Sequence, residues 1–290
     1  MNISVVIPLY NKADTIVRAV RSVQAQTCQD WELIVVDDGS KDEGASLVEA
    51  LGDPRIRVIR QRNAGVSVAR NTGIAQARHE WVALLDADDY WAEQHLARLV
   101  LLQQRFPKAA MLASTYICLD DMGQMRPIPV DARFRSAPDA MAAIPDFFAD
   151  AVAQQHIAVH SSSVMVPRDL CLKVGGFPPG ITAGEDQVMW ARLACAGPVA
   201  VSFIPTAIYV EPAINAAERH RVVRRPALPD EVGAIFGPCG PRRPIRTRWI
   251  CTSRTGIASV RCLGWRSTSV GNAWSTCGWR SGSDTSRARM

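Results

Sequence analysis

Lysine is scarce in this chain: residues 1–236 hold 4 Lys against 19 Arg, and residues 237–290 hold none. A basic leader is also missing. Met1-Asn2 runs straight into the strand-like Ile3–Ile7, so no secretory signal is expected. No apolar run reaches the roughly 18 residues that a membrane-crossing helix needs. A transmembrane span is therefore not expected, and a cytoplasmic location is the default. Among the eight cysteines no C-x-x-C pair occurs, which argues against a zinc site or a disulfide framework. Cys28, Cys118, Cys171 and Cys195 lie in apolar contexts and read as buried free thiols.

The length of 290 residues allows one large domain or two small ones and a sizeable core. The net charge of +5 is unevenly spread. Residues 237–290 carry ten Arg and one acid, about +9, which leaves 5 − 9 = −4 for residues 1–236. From about Gly237 the composition shifts to Gly, Pro, Arg, Ser and Thr. Four of the eight Trp and four of the eight Cys fall there without helical or strand periodicity. Arg, Trp, Cys, Ser and Gly are what GC-rich DNA yields in a shifted frame, so a frameshift product is the expectation for 237–290. The alternative is an Arg/Trp arm for nucleic acid or an anionic membrane surface.

What is present is a regular alternation. Ile3–Ile7 reads as a buried first strand closed by Pro8. Asn11 reads as the cap of a helix carrying Ile16, Val20 and Val23 on one face. Trp31–Val36 is a second strand, Ser46–Leu51 a short helix and Ile56–Val58 a third strand. A helix then runs to about Ala77, and Trp81–Leu85 is a fourth strand. Strands alternating with helices predict a parallel sheet with helices on both faces. A further helix is expected over Trp91–Arg105, and strands over Met111–Cys118, Ser161–Val166 and Val199–Ile204. Residues 119–150 look irregular, and a helix opens at Glu185-Asp186. The expected class is α/β: a Rossmann-like, parallel-type sheet with mixed strands in its second half, then an irregular tail. The expected division is 1–118, 119–236 and the tail 237–290.

The chemistry-bearing signal is acidic. Trp81–Leu85 is apolar throughout and runs into Asp86-Ala87-Asp88-Asp89. In open parallel sheets the C-terminal strand ends are where ligands bind. Carboxylates crowded there repel unless a cation or a proton neutralises them. Asp86 and Asp88 are spaced to share a hard divalent ion; Asp89 reads as a cap of the following helix. Asp37/Asp38 and Glu185/Asp186 stand at two further loop positions. Single Asp residues in loops are commonly turn formers; three pairs after strands ask for another explanation.

These stretches carry a resemblance. SVVIPLYN at 4–11, VVDDGSKD at 35–42, RNAGVSVARNTGI at 62–74, LLDADD at 84–89, GGF at 175–177 and GEDQVMWARL at 184–193 resemble the family 2 glycosyltransferases, of GT-A fold. The resemblance spans roughly residues 3–210, with motif order and spacing agreeing. It implies a nucleotide-diphosphate sugar donor and a glycan or lipid-linked acceptor. Tyr10 would stack on the base and Asp38 would accept from a base N–H, with Asp37 nearby. Pro8 and Leu9 would offer backbone contacts, and Arg70 and Ala87 would line the nucleotide-sugar site. Asp86 and Asp88 would hold Mg²⁺ or Mn²⁺, with Asp88 the direct ligand. Asp186, or else Glu185, would be the general base, and His160 would face the sugar.

The same resemblance implies inverting transfer, no nucleic-acid partner, and room for peripheral contact with the inner face of the membrane. One departure stands out. Many relatives carry His or Arg after the last strand, where this chain reads Tyr209-Val210-Glu211-Pro212, and no His follows until His220. With the frame expected to break soon afterwards, the acceptor half is expected to be truncated. A donor-binding remnant without activity is then the alternative. A phosphatase of the haloacid-dehalogenase type would place its paired Asp after the first strand and need a later Lys. A sugar nucleotidyltransferase would carry a Gly-rich basic loop where Pro8-Leu9-Tyr10-Asn11 stands.

Overall fold

The computed structural model describes residues 1–212, apart from 132, 133, 135, 136, 155–158 and 182, together with the backbone of 248–250 and 259–261. The first half is the expected alternation: β1 (Ile3–Leu9), α1 (Ala13–Gln24), β2 (Trp31–Asp37), α2 (Gly44–Glu49), β3 (Ile56–Arg60), α3 (Val66–Gln76) and β4 (Trp81–Leu84). β1 pairs in parallel with β2 on one side and β4 on the other, and β2 pairs in parallel with β3. The loops after β2 and β4, which carry the paired carboxylates, therefore leave the same sheet edge on either side of β1.

Both faces of this sheet are covered, which is why β1, β2 and β4 are mostly apolar; the buried Ser4 Oγ of β1 donates to Glu32 Oε1 of β2 at 2.7 Å. Ile3, Val5, Ile7 and Leu9 of β1 pack with Ile16, Val20 and Val23 of α1 and Val48 of α2. Val6, Ile34 and Leu84 face the other way, into a core shared with Ala69 and Ile74 of α3. α3 reaches β1 through Gly73: a Cβ there would stand 2.3 Å from Val6 Cγ1.

The second half contributes β5 (Tyr90–Trp91), α4 (His95–Arg105), β6 (Met111–Leu119), β7 (Met125–Pro127), β8 (Met141–Ile144), α5 (Phe147–Gln154), β9 (Val164–Pro167), α6 (Arg168–Lys173), α7 (Glu185–Ala196) and β10 (Val199–Val210). The strand order is β3-β2-β1-β4-β9-β6-β10-β5, with β7 on β6 and β8 on β10. β9 is antiparallel to β4 and β6, whereas β6 and β10 are parallel. The sheet is thus mixed in its second half, as expected. α4 covers one face through Leu96, Leu99 and Leu102; α7 covers the other through Met189, Trp190 and Leu193.

Several local expectations are corrected. Pro8 does not end β1, which continues to Leu9. Val6 accepts from Leu85 N on the β4 side, so Pro8, two residues on, also faces that side, past the last β4 partner. A missing N–H costs no ladder bond there. Asn11 does not cap α1. It sits at φ 49 with Oδ1 accepting from Lys41 N, while Asp42 Oδ2 accepts from Ala13 N. The cap is supplied by the loop after β2.

The helix expected from Trp91 begins at His95, because Tyr90 and Trp91 pair with Ile208 and Ala207 of β10. Residues 119–150 contain β7, a three-residue hairpin partner of β6, and β8, whose partner β10 lies far along the chain. Ser161–Ser163 form a 3-10 turn ahead of β9, and β10 passes Pro205 through a register shift between Ser202 and Ala207. Of the four thiols only Cys171 is buried; Cys28 and Cys118 are half-buried and Cys195 is exposed. No described helix is long and apolar enough to cross a membrane. Arg248–Ile250 and Ser259–Arg261 pair antiparallel in a sheet of their own. The Gly237 boundary, His220 and the rest of the tail lie outside the described residues.

Candidate active site

The site is built on the edge where β1, β2 and β4 end. Asp38 is buried there and consumed by its own chain. Its Oδ1 accepts from Ala64 N at 2.9 Å and Gln61 Nε2 at 2.7 Å, and its Oδ2 accepts from Gly65 N at 2.8 Å. These bonds fix the turn that leads into α3. A carboxylate has about four acceptor positions, so Oδ2 keeps one for a further donor. Asp37 Oδ1 accepts from Ser40 N at 2.9 Å and shapes the same loop. Tyr10, just past the end of β1, is 46% exposed, with its ring open to stacking. Pro8 and Leu9 lie beneath it as the last residues of β1.

Arg70, one turn into α3, is the centre of the electrostatics. Its guanidinium donates to Asp86 Oδ1 at 2.7 Å and to Glu185 Oε1 at 2.9 Å, with the side chain only 4% exposed. Phe177 lies 5.1 Å from the guanidinium carbon, and Nε has no partner. Burial opposes the charge of Arg70, but Asp86 and Glu185 outweigh it and raise its pKa. Burial likewise pushes Asp86 up, while Arg70, His160 and Lys12 hold it below the ordinary value. Arg70 therefore ties the turn after β4 to the start of α7.

The next residue of α3 reinforces that tie. Asn71 Nδ2 donates to Phe177 O and its Oδ1 accepts from Phe177 N, both at 2.8 Å. Gly176 has φ 64, and a Cβ on it would stand 2.5 Å from Asn71 Oδ1. The Gly-Gly-Phe and Arg-Asn motifs, about a hundred residues apart in sequence, are thus two halves of one joint. The joint sets α7, whose first turn carries Glu185 and Asp186 at the positive end of the helix dipole. Burial, then the neighbouring Glu185 charge, raise Asp186 to about 6 against the pull of Arg70.

On the other side of Asp86 lies the rest of the acidic turn. Asp89 does not cap α4. It is buried, accepting from Val210 N at 2.9 Å and from Ser162 Oγ, while Ser162 Oγ accepts from Asp86 N. Burial and the charge of Asp86 push Asp89 well above the usual carboxylate range. His160 Nδ1 accepts from Ser162 N at 3.2 Å and lies 3.6 Å from Asp89. Its ring packs against Tyr209 and Tyr116 at centroid distances of 4.6 and 5.3 Å. Burial keeps His160 below its ordinary pKa, against the pull of Asp86.

Ligand atoms of Asp86, Asp89 and His160 lie within 4.8 Å of one another, close enough to share a metal ion. Asp88 stands at the solvent side of the turn with Lys12 Nζ 2.7 Å from its Oδ2, and Ala87 is buried between the two Asp. The structure thus gathers Arg70, Asp86, Ala87, Asp88, His160, Glu185 and Asp186 at one edge, with Tyr10, Asp37 and Asp38 along it. Sequence reading missed Lys12, Asn71 and Ser162. It also misassigned Asp89, whose adjacency to the Asp-Ala-Asp run was the available signal. Chemically, one side offers oxygen and imidazole ligands for a hard cation. The other offers a carboxylate poised to accept a proton near neutral pH.

Comparison with known proteins follows the same lines. Residues 4–159 match the family model described as glycosyl transferase family 2. The chain is 34% identical over 220 residues to the succinoglycan biosynthesis protein ExoO of Rhizobium meliloti, covering 72% of this chain and 60% of that protein. It is 39% identical over 100 residues to the glycosyltransferase GlyG of Streptococcus pneumoniae, 33% of each chain. Among solved structures, S. aureus TarS 1–349 in complex with UDP-GlcNAc superposes with a TM-score of 0.62 at 18% identity, over 81% of this chain and 64% of that one. The fold is shared with TarS, and the chain spans about 60% of the length of ExoO.

Proposed function

The chain belongs to glycosyl transferase family 2, and on that footing we propose that it moves a sugar from a nucleotide-diphosphate donor to an acceptor hydroxyl with inversion at C1. The observation that carries this reading is the double ion pair of Arg70, which holds an acidic turn and a raised-pKa carboxylate on either side of one edge. The acidic turn suits a diphosphate with its cation; the carboxylate suits a hydroxyl that must lose its proton. TarS, with the same fold, has been crystallised with UDP-GlcNAc and with UDP, which supports a nucleotide-sugar donor. The name of ExoO, a succinoglycan biosynthesis protein, supports a role in polysaccharide synthesis, and the proposed acceptor is a glycan or lipid-linked glycan. The reading carries with it a cytoplasmic location, with room for association with the inner face of the membrane.

The residues of the turn fit Mg²⁺ or Mn²⁺. Asp86, Asp89 and His160 have converging ligand atoms; Asp88, expected to be the direct ligand, lies outside that cluster as a solvent-facing carboxylate paired with Lys12. Such an ion, when bound, neutralises charge developing on the leaving diphosphate. The chain's own residues do the rest. Tyr10 stacks on the base and the spare acceptor position of Asp38 Oδ2 takes a base N–H. Arg70 holds Asp86 and the start of α7 at fixed separation, so the donor is presented to Asp186. Asp186 takes the proton of the acceptor hydroxyl as that oxygen bonds to C1 and the bond from C1 to the diphosphate oxygen breaks. One base and one displacement give inversion, as in inverting hydrolysis with a sugar hydroxyl in place of water.

The test is a thermal-shift screen of nucleoside diphosphates and nucleotide sugars with Mn²⁺, followed by transfer assays on the donor that binds. A donor that binds and is transferred supports the enzyme. A donor that binds without transfer in any acceptor fraction identifies a binding remnant.

A further inference from the structure

Asp88 is gripped by two cations, Lys12 just ahead of α1 and Arg18 within it. Lys12 Nζ lies 2.7 Å from its Oδ2, and Arg18 donates to its carbonyl oxygen at 2.6 Å while lying 5.0 Å from the centre of the Tyr90 ring. The Lys12–Asp88 pair is open to water, with side chains 44% and 36% exposed, and an ion pair of that kind adds little to stability. Yet the backbone that delivers Lys12 is held firmly. Asn11, just before it, takes a left-handed conformation at φ 49. Asn11 N donates to Ser40 Oγ at 3.0 Å, Asn11 Oδ1 accepts from Lys41 N at 2.8 Å, and Asp42 Oδ2 accepts from Ala13 N at 2.8 Å. Asparagine tolerates that conformation, and the bonds to Ser40, Lys41 and Asp42 fix it, so the loop after β2 sets where Lys12 emerges.

The placement has a chemical reading. Lys12 is two residues beyond Tyr10 and reaches the acidic turn, so it stands between the proposed base platform and the proposed cation site, where the diphosphate of the donor would lie. A compact ammonium on a flexible stem carries three donors and can move between oxygen partners without losing its charge. We propose that Lys12 is a diphosphate-binding residue of the donor site, and that it serves as the counter-ion of Asp88 until a divalent cation takes that carboxylate. With a divalent cation bound, the Lys12 ammonium would leave Asp88 and turn to the phosphate oxygens. This rests on the donor reading given above.

The test is calorimetry of UDP, GDP, ADP and dTDP against the wild-type protein with Mn²⁺, then of the tightest binder against Lys12→Met and Lys12→Arg. A thermal melt of each variant checks folding. Lys12→Met is expected to weaken the diphosphate about tenfold or more, the scale of a lost charge-assisted hydrogen bond. Lys12→Arg is expected to recover most of that loss, and the matching nucleoside without phosphates to bind all three alike. Mn²⁺ alone, followed by the resonance of the free ion, is expected to bind Lys12→Met several-fold more tightly than wild type. Equal diphosphate affinity in Lys12→Met and wild type, or an equal loss with the bare nucleoside, would overturn the diphosphate role. Unchanged or weaker Mn²⁺ binding would overturn the counter-ion role. Wild type binding none of the four diphosphates would remove the donor reading itself, and the role of Lys12 with it.

Discussion

Replacing Arg70 by Met is the sharpest perturbation of the proposed architecture. The Met stem fills part of the guanidinium's volume but carries no charge. Asp86 and Glu185, 22% and 13% exposed, then face each other's field without their shared cation. Breaking a buried pair by removing one partner typically costs about 3–5 kcal/mol. Partial hydration of Asp86 argues for the lower end, about 3 kcal/mol. For a folded unit of roughly 200 residues that corresponds to a fall in Tm of about 6–12 °C.

The pH dependence carries the diagnosis. In the wild type Asp86 has a depressed pKa. Its contribution is present above the unfolded carboxylate pKa and is lost as pH falls through the folded one. In Arg70→Met the largest charge opposing burial is gone, so the pKa of Asp86 rises. Its ionisation then destabilises the variant at neutral pH, and protonation relieves the cost as pH falls. The stability gap measured by urea unfolding in EDTA should therefore be widest near pH 7.5 and narrow toward pH 5. Arg70→Lys, with one point charge for two carboxylates, should fall between. A gap below about 0.5 kcal/mol at pH 7.5, or one that widens on acidification, would refute the ion-pair account.

Asp186→Asn is expected to bind donor normally and to lose transfer by orders of magnitude, as removal of a group acting only in the transition state does. In the wild type, kcat/KM should rise with pH through an apparent pKa near 6, because only the ionised carboxylate accepts the proton; pH–rate profiles read this. Asp88→Asn should fold normally and lose Mn²⁺-dependent nucleoside diphosphate binding in calorimetry. Gly176→Ala combines a positive φ with a clash against Asn71 Oδ1, and should cost about 1–3 kcal/mol in urea unfolding. Opening of the joint should lower transfer in the same variant.

The sequence was most legible where burial on both faces forces continuous apolar runs. β1, β2 and β4 announce themselves, and their carboxylate-bearing loops follow from parallel pairing alone. It was least legible where structure depends on partners far away. β8 exists because β10 lies beside it, and the two-residue β5 forms only against Ile208 and Ala207. Asp89 looked like a cap because it precedes a helical pattern. The structure uses it to bind Ser162 and Val210, from segments about 70 and 120 residues away. Asn11 has the right chemistry for a cap, yet its backbone is set by Ser40 and Lys41. The linked motifs pointed to Arg70 as a site residue. Its work as a bridge between Asp86 and Glu185 emerges only when α3, the turn after β4 and α7 are brought together.

The central claim is sugar transfer dependent on Asp186, and one measurement addresses it directly. Wild-type protein and Asp186→Asn, matched for donor binding, are given radiolabelled nucleotide sugars with Mn²⁺ and a lipid-linked glycan fraction, and label in the acceptor is counted. The account expects label transferred from at least one donor by the wild type, at a rate reduced by orders of magnitude in Asp186→Asn. Label transferred equally by both proteins, or by neither across every donor that binds, would contradict it.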